Sequence, residues 1–359
     1  MDPLLSDLIP TLPDIGDASL RQALQGRLDQ KTKPQGALGG LETLAVRLGE
    51  ILGTPSPRLQ QPQLVVFAAD HGLVAQGVSA YPSDVTWQMV ENFLAQGAAV
   101  NVLARQHGIA LTVADCGVAH VFAPRAAARP GEPRLVDCRI AAGTADASQG
   151  PAMDAAGCAR AIANGRALVR GLPGNVLLLG EMGIGNTSAA ALLLAGLGGH
   201  DIAACTGAGT GLDDAGIAHK TAVLRRCLAR HGEDRSPLAL LASLGGFEIA
   251  TMVGAVLQAA LERRVVLVDG FITGAAVLVA RALQPHVLQR CVFAHHSRER
   301  GHGLMLRDLG AEPLVDLQLR LGEGSGAALV WPLLLSAALV LDEMASFESA
   351  GVSGKTAAP

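Results

Sequence analysis

Aromatic residues are scarce in this sequence: Phe, Trp and Tyr together make up 3% of 359 residues, with one tyrosine, Tyr81. Charge is also thin, at 17% Asp, Glu, Lys and Arg, against about 25% in an average globular chain. The net charge is −4 and no basic stripe is visible, which excludes a nucleic-acid partner on electrostatic grounds. No C-x-x-C pair occurs; the six cysteines, at 116, 138, 158, 205, 227 and 291, lie far apart. That spacing reads as reduced, buried thiols in a cytoplasmic protein rather than a disulfide framework. The opening MDPLLSDLIPTLPD lacks the basic start and apolar run of a signal peptide. The longest apolar run near the end, residues 326–341, falls short of the ~20 residues of a membrane span. Pro332 interrupts it and Asp342-Glu343 follow, so it reads as a buried helix and no membrane partner is expected.

Half of the chain is hydrophobic and 43 residues are glycine, which suits a large core with tight turns and backbone-lined sites. Apolar runs that fit buried parallel strands recur at 64–70, 109–115, 175–180, 265–270 and 291–295, with a weaker one at 313–317. Helical patterning fills 86–104, 153–170, 187–197, 214–230 and 272–283, and Leu38, Leu41, Leu44, Leu48 and Leu52 share one helix face. This alternation predicts an α/β fold: a parallel sheet covered by helices on both faces. Segment 123–134 is basic and Pro-rich and reads as a surface loop. Helices before residue 60 and after 326 fall outside the alternation. They are expected to form a small helical domain (1–58 with 326–352) beside the α/β domain (59–325), with a disordered tail at 353–359.

Ligands of such sheets sit beyond the carboxyl ends of the strands, and five stretches stand there. LLLGEMGIGNTSAAALLLAGL (177–197) reads strand, glycine loop, helix. Gly180, Gly183 and Gly185 admit an anion close to backbone amides, and Asn186, Thr187 and Ser188 are placed to cap a helix whose N-terminus favours phosphate. Asn186 stands where a Walker loop has lysine, and G-x-G-x-x-G is not matched, which counts against triphosphate hydrolysis and dinucleotide binding. Glu181 inside this loop suits a ribose hydroxyl better than an anion. CTGAGTGLDDAGIAHKTAV (205–223) offers Gly207, Gly209 and Gly211 as an anion nest. There Lys220 either neutralises phosphate or is solvated, with Asp213 as a cap. In 67–93, Asp70-His71 ends a strand, and Tyr81 and Gln88 suit a flat heterocycle, or Tyr81-Pro82 is a plain turn. AHHSRERGH (294–302) holds three histidines, but adjacent side chains do not face one metal site. In LVDLQLRLGEGSGAA (314–328), Glu323 sits between Gly322 and Gly324. At the mouth of an apolar pocket its pKa would rise and suit a general base; otherwise it is a charged loop residue.

Taken in this order, GEMGIGNTSAAA, GTGLDDAGIAHK, VDGFITGAA and LGEGSGAAL resemble the nicotinate-nucleotide–dimethylbenzimidazole phosphoribosyltransferases, from residue 31 to 353. The resemblance implies a Rossmann-like sheet, a small domain built from both chain ends, and a homodimer. It implies transfer of phosphoribosyl from nicotinate mononucleotide to 5,6-dimethylbenzimidazole, giving α-ribazole 5′-phosphate and nicotinate in cobalamin lower-ligand assembly. No metal or other cofactor is implied, because no pyrophosphate leaves. By the same resemblance Glu323 is the catalytic base, and Ser79, Tyr81 and Gln88 bind the aromatic base. Glu181, Gly183, Gly185, Asn186, Thr187, Gly207, Gly209, Lys220 and Ser297 bind the nucleotide. The chain departs from the family pattern at Ala37, where a serine is usual, and at His296, where an arginine is usual; Arg298 and Arg300 add charge nearby. A non-catalytic nucleotide-binding protein of the same fold would need the glycine loops but not Glu323.

Overall fold

A computed structural model describes residues 8–231 and 233–353; residues 1–7, and the tail from 354 expected to be disordered, lie outside the described residues. Seven strands form one parallel sheet: β1 (Gln63–Ala69), β2 (Ala110–Gly117), β3 (Arg134–Asp137), β4 (Val176–Met182), β5 (Val265–Val268), β6 (Cys291–His295) and β7 (Pro313–Val315). Their spatial order is β3-β2-β1-β4-β5-β6-β7. The order reverses between β1 and β4, and that crevice is where a ligand site belongs in an open parallel sheet.

The first helices are α1 (Ala18–Asp29), α2 (Gly40–Leu52), α3 (Asp84–Leu94), α4 (Ala99–Gln106), α5 (Ala155–Arg170), α6 (Asn186–Gly198) and α7 (Ile202–Cys205). The rest are α8 (Asp214–His231), α9 (Pro237–Leu244), α10 (Phe247–Leu261), α11 (Phe271–Leu283), α12 (His302–Leu309), α13 (Ser325–Glu343) and α14 (Phe347–Ala350). Why the strands read as unbroken apolar runs is plain from their neighbours. In β1, Val65, Phe67 and Ala69 enter the apolar cluster shared with α5, α6, α10 and α11. Leu64, Val66 and Ala68 enter the cluster shared with α1 to α4 and α13. Successive side chains point to opposite faces, and both faces are covered. The terminal helices α1, α2 and α13 therefore complete the second cluster. Among the described residues α13 alone has the length and apolarity of a membrane span, yet 56% of its apolar window is buried inside the protein.

The structure corrects the sequence reading in three places. The single helix expected over 86–104 is two: Gln96 takes φ 64° and the chain turns before restarting at Ala99. Asn101 holds the break, accepting from the Ala98 amide at 3.1 Å and donating to the Phe93 carbonyl at 2.9 Å. The edge strand β3, too short for a periodic signal, follows directly on the loop at 123–133. The buried helix α10 is apolar all round and so carries no helical stripe. All six cysteines are unpaired and buried.

Helix α10 lies against α5 through glycines. A Cβ on Gly165 would stand 1.8 Å from the Thr251 carbonyl oxygen, and one on Gly254 would stand 1.9 Å from that of Ile162. Gly254→Ala should therefore destabilise the protein by about 2–3 kcal/mol, the upper range of overpacking. Gly26→Ala, in α1 where the space is open, should stabilise it by about 0.5–1 kcal/mol. Urea midpoints test both; equal midpoints for the two variants would refute the close α5–α10 contact.

Candidate active site

A cavity of about 680 Å³ opens at the carboxyl ends of β4, β5 and β6. Its lining includes Tyr81, Glu181, Gly183, Asn186, Thr187 and Gly209, with Asp269, His295, Ser297, Glu299 and Glu323. A larger groove of about 1220 Å³ beneath the 121–134 loop shares none of the candidate residues, and the strand ends mark the smaller cavity as the site.

Glu323 forms part of this cavity's wall from a turn that only an enforced backbone can hold. Gly322, Glu323 and Gly324 have φ of 80°, 65° and 83°, three left-handed residues in succession. For a non-glycine residue that conformation is costly and persists only where the surroundings enforce it. The turn lies directly on β4: a Cβ on Gly180 would stand 2.4 Å from the Glu323 carbonyl oxygen. The Glu323 side chain is buried, and its Oε2 has no hydrogen-bond partner. Burial pushes its pKa up to about 7, assisted by the charge of Asp269 and opposed by the Val100 amide. Val100 sits in the first turn of α4, so the helix break at Gln96 has a use: it aims a helix N-terminus at this carboxylate.

Glu181 ends β4 on the same wall. Its pKa rises to about 8 through burial and the neighbouring charge of Asp269, while Asn186 donates to it. From the sequence, Asn186, Thr187 and Ser188 are expected to cap α6. Gly185, with φ 97°, occupies the cap position instead, and no side chain caps the helix. Asn186 is turned to Glu181, and Thr187 Oγ1 accepts from Lys220 Nζ at 2.8 Å. Lys220 is 1% exposed, which rules out the solvated alternative; burial lowers its pKa to about 8 against the pull of Glu299. Asp213 does accept from the Gly216 amide at 2.8 Å, as a cap would. Gly209, with φ 56°, leaves room for this pair, since a Cβ would stand 3.0 Å from Thr187 Oγ1 and 3.3 Å from Lys220 Nζ.

Of the candidate residues, Tyr81, Glu181, Gly183, Asn186, Thr187, Gly209, Ser297 and Glu323 line the cavity together. Gly185 and Lys220 stand behind the lining, and Gly207 packs against Glu299. Ser79 is half-buried, with Oγ 3.4 Å from Thr210 Oγ1 at the rim. Gln88 lies on α3 outside the lining. Of the three histidines at 294–302, His295 Nε2 lies 3.8 Å from Asp269 Oδ1, and His302 Nδ1 accepts from the Ser297 amide at 2.8 Å.

Sequence reasoning passed over Asp269 and Glu299, which line the cavity, and Glu248, the buried partner of the strand-end His71 at 2.7 Å. Asp269 follows an apolar strand, the same signal that singled out Asp70. Glu248 carries no local signal, because only the fold brings α10 to β1.

Comparison with known proteins follows the same lines. A family model described as phosphoribosyltransferase matches residues 14–352. A nicotinate-nucleotide–dimethylbenzimidazole phosphoribosyltransferase of Variovorax paradoxus is 68% identical over 347 residues, covering 97% of each chain. One from Cupriavidus necator is 57% identical, covering 98% of this chain and 99% of its own. The crystal structure of a nicotinate-nucleotide–dimethylbenzimidazole phosphoribosyltransferase from Thermus thermophilus superimposes with a TM-score of 0.88 at 40% identity, covering 95% of this chain and 100% of that one.

Proposed function

The chain belongs to the nicotinate-nucleotide–dimethylbenzimidazole phosphoribosyltransferase family, and from that premise we propose how its residues divide the reaction. The enzyme moves phosphoribosyl from nicotinate mononucleotide to 5,6-dimethylbenzimidazole, yielding α-ribazole 5′-phosphate and nicotinate for the lower ligand of cobalamin.

The observation that carries the assignment is Glu323: a buried carboxylate with one oxygen unpartnered, held in a left-handed turn on the cavity wall. An unprotonated ring nitrogen of the base attacks the anomeric carbon from the face opposite the pyridinium. The carbon–nitrogen bond to nicotinate breaks, and its electron pair leaves with the neutral pyridine ring. The other ring N–H of the new benzimidazolium becomes acidic, and Glu323 takes that proton. Tyr81 supplies an aromatic face for the acceptor, with Ser79 at the rim beside it; Gln88, exposed on α3 outside the lining, would reach the acceptor only from beyond the cavity wall. The amide end of α6, reached through Gly183, Gly185 and Thr187, holds the phosphate together with Lys220, Gly207 and Gly209. Glu181, kept largely protonated near neutrality, faces the ribose with Asn186 without repelling the phosphate, and Ser297 closes the nucleotide side.

Three further features belong to this reading. The enzyme is a homodimer, a state supported by the exposed Leu317 and by the exposed Leu321 of the cavity lining. Sedimentation at twice the 36.7 kDa chain mass is expected, and the single-chain mass would refute it. The helices α1, α2 and α13 form a small domain from both chain ends, a grouping supported by their mutual packing, although their core is continuous with one face of the sheet. Its six unpaired thiols support residence in a reducing cytoplasm.

Protein mixed with nicotinate mononucleotide and 5,6-dimethylbenzimidazole should release nicotinate in step with ribazole phosphate by chromatography. Nicotinate without ribazole phosphate would make the protein a hydrolase. In Glu323→Gln, turnover should fall by about 10²-fold or more with nucleotide affinity retained. Because the base acts ionised, native kcat/KM should rise with pH up to about 7 and then level. Glu323→Gln should lose that limb, and a variant that keeps both rate and limb removes Glu323 from the role. Tyr81→Ala should raise KM for the acceptor several-fold more than KM for the nucleotide, at roughly the 1 kcal/mol worth of a ring contact. Equal changes in both constants would move the acceptor elsewhere.

A further inference from the structure

Asp269 follows β5 directly and is 2% exposed. Its Oδ1 accepts from the Ala327 amide at 2.8 Å. The amides of Gly324 and Gly326 also face the carboxylate. These amides belong to the first turn of α13, whose own cap position, Gly324, has no side chain to offer. The orphan amides of α13 are therefore satisfied by a strand-end carboxylate distant in sequence, a partnership that a helix N-terminus favours. Space is kept for it: a Cβ on Gly326 would stand 2.1 Å from His295 Cδ2 and 2.8 Å from Asp269 Oδ1. Glu323 is the residue immediately before this clamped turn.

We infer that Asp269 is the positioning residue for Glu323. By clamping the start of α13 it fixes the 322–324 turn, and as a second carboxyl beside Glu323 it makes the proton there harder to give up. The inference rests on the reading of Glu323 as the base. The groups around Glu323 are Asp269 beyond β5, Glu181 on β4, His295 on β6 and the Val100 amide of α4. Glu248 of α10 acts on Glu181 from behind. Among the described residues, Asp269 is the one titratable neighbour that both bonds the start of α13 beside Glu323 and raises the Glu323 pKa. Sheet geometry explains the double role, since β5 lies between β4 and β6 and Asp269 at its carboxyl end both bonds the first turn of α13 and lines the cavity with Glu323.

Two variants separate the clamp from the charge. Asp269→Asn keeps an oxygen for the Ala327 amide and removes the charge. Its acid limb in kcat/KM should move down by about one pH unit, and its plateau kcat should fall about threefold because the base is weaker. KM for nicotinate mononucleotide should stay within about twofold, the spread expected where no direct contact is lost. Asp269→Ala removes the clamp as well; kcat should fall on the order of 10²-fold from misplacement of the base. Hydrogen exchange at amides 324, 326 and 327 should quicken in Asp269→Ala and stay near native in Asp269→Asn. An acid limb that stays in place in Asp269→Asn, or native exchange at those amides in Asp269→Ala, overturns the inference. Glu323→Gln, measured alongside, keeps the two ideas apart. If it retains the limb, the base assignment itself fails; if it loses the limb while Asp269→Asn leaves it unmoved, the role given to Asp269 fails alone.

Discussion

The close approach of the 322–324 turn to β4 is the contact on which the rest of the site depends. A glycine at 180 lets the carbonyl of Glu323 lie where a side chain would otherwise stand. From that contact Glu323 projects into the cavity, and from the same turn α13 sets off to complete one face of the core. The left-handed backbone at Glu323 costs on the order of 1–2 kcal/mol. It persists because β4 fixes one side of the turn and the Asp269 clamp fixes the other. Core packing and the geometry of the proposed base are thus parts of one arrangement: shifting α13 along the sheet would move Glu323.

Charge is sorted across the cavity. Glu181, Asp269 and Glu323 gather on the β4–β5 wall, and their pKa values rise to about 8, 7 and 7. Three carboxyls this close and this dry do not all ionise near neutrality; they titrate as a group. Lys220 and the amide end of α6 lie toward the second glycine stretch. A nucleotide that carries a cationic ring at one end and a phosphate at the other matches this division. In the proposed reading the phosphate would meet the lysine and the helix terminus, and the carboxyl wall would face the positive charge as it passes from pyridinium to benzimidazolium. Binding of the cation would favour the ionised form of the cluster at the moment a base is needed, which ties proton affinity to occupancy of the site.

Much of this was legible in the residue order, and for a physical reason. Parallel strands buried on both faces must be continuous apolar runs, so β1, β2, β4, β5 and β6 could be read directly, and the strand-end rule then pointed to Glu181, the glycine loops and Glu323. What escaped depended on non-local contacts or on the lack of pattern. The break at Gln96 is made by an ordinary residue in a left-handed conformation, stabilised through Asn101, and neither residue type announces it. Helix α10, buried all round, has no polar face for a period to show. The place of Asn186 in the loop suggests a helix cap, but Gly185 holds the cap position and Asn186 Nδ2 donates to the buried carboxyl of Glu181. The clamp by Asp269 joins two segments that no local pattern connects.

The buried cysteines have a use that chemistry alone suggests. Burial holds the thiols of Cys158, Cys205 and Cys291 up at about 12 and those of Cys138 and Cys227 up at about 11, with Cys116 also well above its ordinary value. Thiolate is the reactive form, so each sulfur is silent toward an alkylating reagent while its surroundings stay closed. The six are spread over β2, the segment after β3, α5, α7, α8 and β6. Labelling followed by peptide mapping would therefore report, site by site and without any engineered probe, which parts of the sheet and its cover breathe first and whether bound nucleotide quiets them.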